Sequence, residues 1–181
     1  RQNLYKSLKQ RNYKHFNSGT MKITCRRLKS IQLIIVILAF VIFLLPSASL
    51  ARTWNVPGDA STIQAAINLA ASGDTVLVAP GTYQSFTVGK DITVASQFLT
   101  TGDKSRVAQT IIDGGGGAYV INIPSSSPAP GPKIVGFTVQ NSVDGVLAFG
   151  PFQLMNSRVT RTKDGIDATD VKGAIVINNT F

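Results

Sequence analysis

Ser72-Gly73-Asp74-Thr75-Val76-Leu77-Val78-Ala79-Pro80-Gly81-Thr82-Tyr83 sets a helix stop, a β-branched run and a turn side by side. Just upstream, Ser61 to Ala71 carries Ile63, Ala66, Ile67 and Ala70 at helical spacing, and Ser61 stands three residues before Gln64 as in a capping box. Gly73 then supplies a left-handed stop. From Thr75 the apolar period falls to two, which predicts a strand over Thr75 to Ala79. Pro80-Gly81 suits the centre of a type II turn, because proline presets φ and glycine accepts a positive φ. The alanine-rich helix has a narrow apolar stripe, suited to lying flat across another apolar surface.

Downstream no second helix is expected. Strand-like runs recur instead at Phe86 to Val88, Asp91 to Ala95, Thr110 to Asp113, Ala118 to Ile123, Lys133 to Val139, Gln153 to Val159 and Ala174 to Asn178, separated by Gly, Asn, Asp and Ser. A sandwich and a solenoid both fit such a list, so the useful test is a fixed period. Val135-Gly136, Met155-Asn156 and Ile177-Asn178 align at steps of 20 and 22 residues. Ile112-Asp113 extends the series 23 residues earlier. Asp113, Gly136, Asn156 and Asn178 differ in chemistry but share tolerance of left-handed backbone. Asp144-Gly145-Val146 and Asp164-Gly165-Ile166 repeat at 20 as well. Paired signals moving together predict an all-β fold, a right-handed parallel β-helix whose coils stack about 4.8 Å apart. The open apolar end of such a solenoid needs a cover, and the helix at Ser61 to Ala71 is the expected N-terminal cap. The Pro- and Ser-rich segment 124–132 reads as a loop excursion from one coil, since the register continues across it.

The net charge of +9 is not spread over this pattern. Residues 1–51 contain nine Lys and Arg and no acid, while 52–181 contain nine of each sign. A neutral folded part offers no basic stripe for phosphates, so no nucleic-acid partner is expected. Met21 begins a basic segment that leads into thirteen apolar residues, 33–45, and a small-residue ending at Ala51. That is the anatomy of a signal peptide over 21–51, with an uncleaved membrane anchor as the alternative. Residues 1–20 read as upstream translated sequence, and 52–181 as a cap and first coils truncated in mid-pattern at Phe181. Cys25 lies ahead of the apolar run, so the expected secreted or cell-surface part has no thiol.

The stretch TWNVPGDASTIQAAINLAASGDTVLVAPGTY, followed by TIIDGG and KIVGFTVQNS, resembles the N-terminal part of right-handed β-helix proteins of the pectin lyase-like superfamily. The likeness runs over residues 53–181. It implies fold more than activity, because the superfamily includes polysaccharide lyases, glycoside hydrolases, pectin esterases, epimerases and surface proteins without catalysis. The beginning is also similar to pectin methylesterases, but Tyr83-Gln84-Ser85 lacks the acid expected two residues after the tyrosine. The later Asp signatures of the esterases are not found before Phe181, and the single histidine, His15, precedes Met21, so the His-containing motif of polygalacturonase-like hydrolases is absent too and no catalytic residue of the superfamily is carried over.

Asp164, Asp167 and Asp170 in DGIDATD are a candidate calcium site, since Ca²⁺ takes several oxygen ligands. Their spacing is not that of a known calcium loop, and turn acids facing solvent are the competing reading. Asp144 and Asp164 align as a pair, as glycoside hydrolysis would need at about 5 to 9.5 Å, although the following glycines fit a turn equally. Gly114 to Gly117 precedes a strand and not a helix, which argues against a phosphate loop. Tyr83, Phe86 and Tyr119 could stack on sugars or simply fill a core. Asn178-Asn179-Thr180 matches a glycosylation sequon. The expected function is interaction with extracellular or cell-surface polysaccharide. A lyase or hydrolase with its active site past residue 181, and a structural or adhesive surface solenoid, are the alternatives.

Overall fold

The computed structural model describes residues 50–181 and, upstream, Gln32 and residues 35–38, which are helical and exposed. The proposed leader at 1–20 and signal segment at 21–51 therefore lie almost wholly outside the described residues. No described helix is long and apolar enough to cross a membrane. Leu50–Phe181 forms one compact unit, and the Pro-rich segment 124–132 is a loop within it rather than a linker.

That unit is mostly β. It runs β1 (Thr53–Val56), α1 (Ile63–Leu69), β2 (Thr75–Val78), β3 (Gly81–Gln84), β4 (Phe86–Thr87), β5 (Thr93–Ser96), α2 (Phe98–Thr101) and α3 (Ser105–Gln109). It continues with β6 (Thr110–Ile123), β7 (Lys133–Val135), β8 (Thr138–Ala148), β9 (Gln153–Met155), β10 (Arg158–Asp167) and β11 (Ile175–Ile177). Two sheets result, one in the order β1-β2-β5-β7-β9-β11 and one in the order β10-β8-β6-β3, with β4 also paired to β6. Every pairing is parallel. From β5 onward the chain alternates between the two sheets, an arrangement compatible with an all-β solenoid.

Register explains why the apolar residues recur. Val76, Val94, Ile134 and Leu154 are successive partners in the first sheet, and all four are fully buried. Ile112, Val139 and Val159 do the same in the second sheet, as do Phe86, Ile121 and Val146. Each such side chain contributes about 1.5 to 3 kcal/mol on leaving water. Phe137 and Phe152, with no exposed surface, join Phe86 as the largest side chains of this core.

The corners obey the left-handed rule with one exception. Gly136, Asn156 and Asn178 have φ of 77°, 51° and 54°. Gly136 and Asn156 each divide what the sequence presents as one run into two strands, so Lys133 to Val139 becomes β7 and β8, and Gln153 to Val159 becomes β9 and β10, while Asn178 follows β11. Asp113 does not belong to this set, because it lies inside β6 opposite Gln140. The position preceding Gly136 in the stack is Ser96, since Val135 pairs with Ala95. The expected 23-residue step fails because Thr93 and Lys133, which are partners, stand 40 positions apart. α2 and α3 occupy part of that excess, and neither is expected from the sequence, being too short to show apolar periodicity.

Side chains also pair across these corners. The backbone N–H of Phe137 donates to Ser157 Oγ at 3.3 Å, and that of Ser157 donates to Asn179 Oδ1 at 2.8 Å. Asn179 Nδ2 donates to the Leu154 carbonyl at 2.8 Å. Polar groups that leave the strand ladder at the bend are thereby satisfied by the next row.

The start of the fold differs in detail from expectation. α1 begins at Ile63, with Thr62 and not Ser61 as its N-cap, the Thr62 Oγ1 accepting from Ala65 N at 3.1 Å. Gln64 is no capping-box partner. Its amide instead holds the backbone of Thr87, accepting from the N–H at 2.8 Å and donating to the carbonyl at 3.2 Å. The helix ends at Ala70 in extended geometry, three residues before the left-handed Gly73. Lys90 Nζ completes the end by donating to the carbonyls of Ile67, Asn68 and Ala70. α1 buries Ile63, Ala66 and Ile67 and packs against β1, β2 and β4. Pro80 is a bend, and Gly81 already opens β3 opposite Thr110, so the expected type II turn does not form there.

Candidate functional site

Three neighbouring strands bring Tyr119, Asp144 and Asp164 into one row, Tyr119 opposite Asp144 and Asp144 opposite Asp164. The predicted alignment of the two carboxylates is therefore real. Tyr119 and Asp144 are half-buried and Asp164 is exposed. Asp167, at the end of β10, is exposed and opposite Leu147. Its Oδ1 accepts from Thr169 Oγ1 at 3.2 Å.

Burial, followed by the nearby carboxylates of Asp167 and Asp164, pushes the Asp144 carboxyl above its ordinary range, and only Lys163 opposes this. Lys163 Nζ lies 3.8 Å from Asp164 Oδ2, with both side chains largely in solvent. Such an exposed pair contributes little. The row is thus a patch of carboxylates held close at some electrostatic cost.

Neither glycine makes a turn, and at Gly145 the reason for glycine is steric. Gly145 and Gly165 lie within strands β8 and β10. A Cβ on Gly145 would stand 2.5 Å from the Gly165 carbonyl oxygen and 2.6 Å from Val159 Cγ1. The strands approach too closely there for any side chain.

The calcium candidates are spread out. Asp164 lies within β10, Asp167 ends it, and Asp170 sits beyond it in left-handed backbone at φ 59°. Among the described residues no three Asp, Glu, His or Cys side chains gather closely enough to hold a metal ion.

Of the three aromatics, Phe86 is a core residue at 2% exposure. Tyr83 donates its hydroxyl to the Ala79 carbonyl at 2.9 Å, and burial raises its phenol. Tyr119 alone stands in the carboxylate row. Gly114 to Gly117 lies within β6, where the register to β8 shifts between Asp113 and Gly117, and no helix opens after it. In the sequon, Asn178 is exposed, whereas Asn179 belongs to the corner ladder.

Two acids take roles that sequence reading missed. Asp113 accepts from Gln140 Nε2, Asn141 Nδ2 and the Gly115 N–H at 3.0, 2.8 and 2.8 Å. These bonds, with a smaller contribution from Arg161, hold its carboxyl below the usual range. Asp74, immediately before β2, accepts from the N–H of Arg52 and Ala71 and from Trp54 Nε1. The available signal was a short acid next to a strand start, which is too common to single out either residue.

No family model, curated protein or solved structure matches the chain. What the row can do must be read from its own chemistry: a ring face for stacking, two carboxylates to accept hydroxyl hydrogens, and a protonatable group at Asp144.

Proposed function

We propose that residues 52–181 form a right-handed parallel β-helix of the pectin lyase-like kind, capped at its N-terminal end by α1. We further propose that the protein is exported and interacts with extracellular or cell-surface polysaccharide. The all-parallel pairing and the in-register apolar stacks support the architecture. The functional reading is carried by the row Tyr119, Asp144 and Asp164. Strands about 4.8 Å apart offer successive sugar units a repeating set of contacts. An aromatic ring takes the apolar face of a sugar while carboxylates accept from its hydroxyls.

A second reading draws on the raised Asp144 carboxyl. A carboxyl that burial and neighbouring carboxylates make a weaker acid is the kind of group general acid chemistry uses, which favours a glycoside hydrolase or lyase over a passive surface spacer.

The test is retention of the full chain on a panel of immobilised neutral and acidic polysaccharides, with Tyr119→Ala and Asp144→Asn as variants. Binding that weakens in both variants supports the reading. A chain that folds normally and binds no polysaccharide overturns it and leaves a structural or adhesive solenoid. Release of reducing or unsaturated ends from a bound polysaccharide would select the enzyme.

A further inference from the structure

The two inserted helices build a cleft away from the carboxylate row. Phe98 on α2 and Lys104 just before α3 face Asn156, Arg158, Asn178 and Thr180 across an opening of about 590 Å³. The placement is fixed at both ends. Thr138 Oγ1 donates to the Val107 carbonyl at 2.8 Å, tying α3 to β8. Gly136 leaves room for Phe98, whose Cβ would stand 2.9 Å from an added methyl.

The lining has one sign of charge. Among the described residues no acid lines the cleft, whereas Lys104 and Arg158 do, and neither is ion-paired. Asn156 and Asn178 stand at equivalent left-handed corners of successive rows. Their side-chain amides, like the Thr180 hydroxyl, make no hydrogen bond to another described residue, so all three are available to a ligand. Phe98 is half-buried and adds an apolar wall.

We propose that this cleft is a second carbohydrate site, and that it takes a sugar unit bearing an anionic group, a carboxylate or a sulfate. The anion lies between Lys104 and Arg158, the ring packs on Phe98, and the ring hydroxyls meet Asn156, Asn178 and Thr180. Arginine supplies paired donors to a planar or tetrahedral oxyanion, and lysine adds a second charge. The inference rests on the polysaccharide reading but uses none of the residues in the Tyr119 row.

The test is titration calorimetry of the full chain at low ionic strength with three hexasaccharides, one neutral, one of uronic acids and one sulfated. The variants are Lys104→Ala with Arg158→Ala, Lys104→Glu, and Tyr119→Ala. Both cations are exposed, so their loss leaves the far-UV spectrum unchanged. A charged hexasaccharide should lose about tenfold or more in affinity in the double variant and at least as much in Lys104→Glu. The uronate and sulfate arms identify the anion. Unchanged affinity in both cation variants, or a preference for the neutral sugar, overturns the cleft. If Tyr119→Ala alone weakens binding, the cleft falls while the polysaccharide reading stands. If no hexasaccharide binds the wild-type chain, both fall.

Discussion

Trp54 Nε1 donates to Asp74 Oδ2 at 3.0 Å, while Arg52 lies 3.7 Å over the centre of the same indole ring. The Arg52 backbone N–H also donates to Asp74 Oδ1 at 2.8 Å, so one carboxylate holds β1 against the start of β2. These N–H donors and that of Ala71 hold the carboxyl below its ordinary value. The unfolded chain therefore takes up this proton more readily, and the stabilisation is complete above about pH 4 and lost as pH falls through the lower folded value. Asp74→Asn should lower the thermal midpoint at pH 7 and flatten the acid limb of stability, measured by thermal melts from neutral pH downward. An unchanged acid limb would remove Asp74 as the clasp.

Asp144 should behave in the opposite sense. Its carboxyl is raised by burial and by Asp167 and Asp164, so the folded state holds this proton more tightly than the unfolded state does. Its contribution to stability is largest below the unfolded value and falls as pH rises through the raised folded value. Asp144→Asn removes a charged group that the fold tolerates poorly. The variant should be at least as stable as wild type at pH 7, and the gap between them should close as pH is lowered toward 4. Denaturant melts at several pH values check this, and a variant less stable at pH 7 would contradict it.

Gly145→Ala and Gly165→Ala separate close approach from turn chemistry. At Gly145 the new methyl meets backbone and a core valine, and overpacking of this kind costs about 1 to 3 kcal/mol. At Gly165 the nearest atom is Phe181 Cδ1 at 2.8 Å, on an exposed ring that can turn aside. Equilibrium denaturation should show a loss at Gly145 clearly larger than at Gly165.

Lys90→Met keeps the aliphatic stem and removes the ammonium that donates to three carbonyls at the end of α1. A cation at a helix C-terminus in partly buried geometry is worth about 1 to 2 kcal/mol, and the melt should record a loss of that size. Exchange of the α1 amides should quicken more than that of the β7 and β9 amides.

Phe137→Ala tests the core itself. The ring is fully buried beside the corner at Gly136, and its loss should cost about 3 to 5 kcal/mol by denaturant melt.

The strand content and the 20- and 22-residue steps were legible because left-handed corners favour a few residue types. Gly136, Asn156 and Asn178 announce themselves by composition. The same logic misplaced Asp113, an aspartate selected for its acceptor oxygens and not for its backbone. It also missed α2 and α3, where four- and five-residue helices leave no periodic trace. The carboxylate row was readable as a repeat of Asp-Gly, but the reason for Gly145 was not, since its close approach depends on Val159, a residue of the next row. Lys90 and Lys104 carry no local signature at all, because their partners come from elements brought near only by folding.

The pairing of Thr93 with Lys133 across 40 positions, beside the pairing of Lys133 with Gln153 across 20, separates spatial pitch from chain length. Neighbouring strands keep their spacing whether the intervening chain is short or twice as long. Here the extra sequence is absorbed at the bend, by α2 and α3, and the register of β5 against β7 is kept. Such a framework can gain or lose surface structures by insertion while its interior stays fixed, so homologous chains should differ in the length of their bends far more than in the order of their strands.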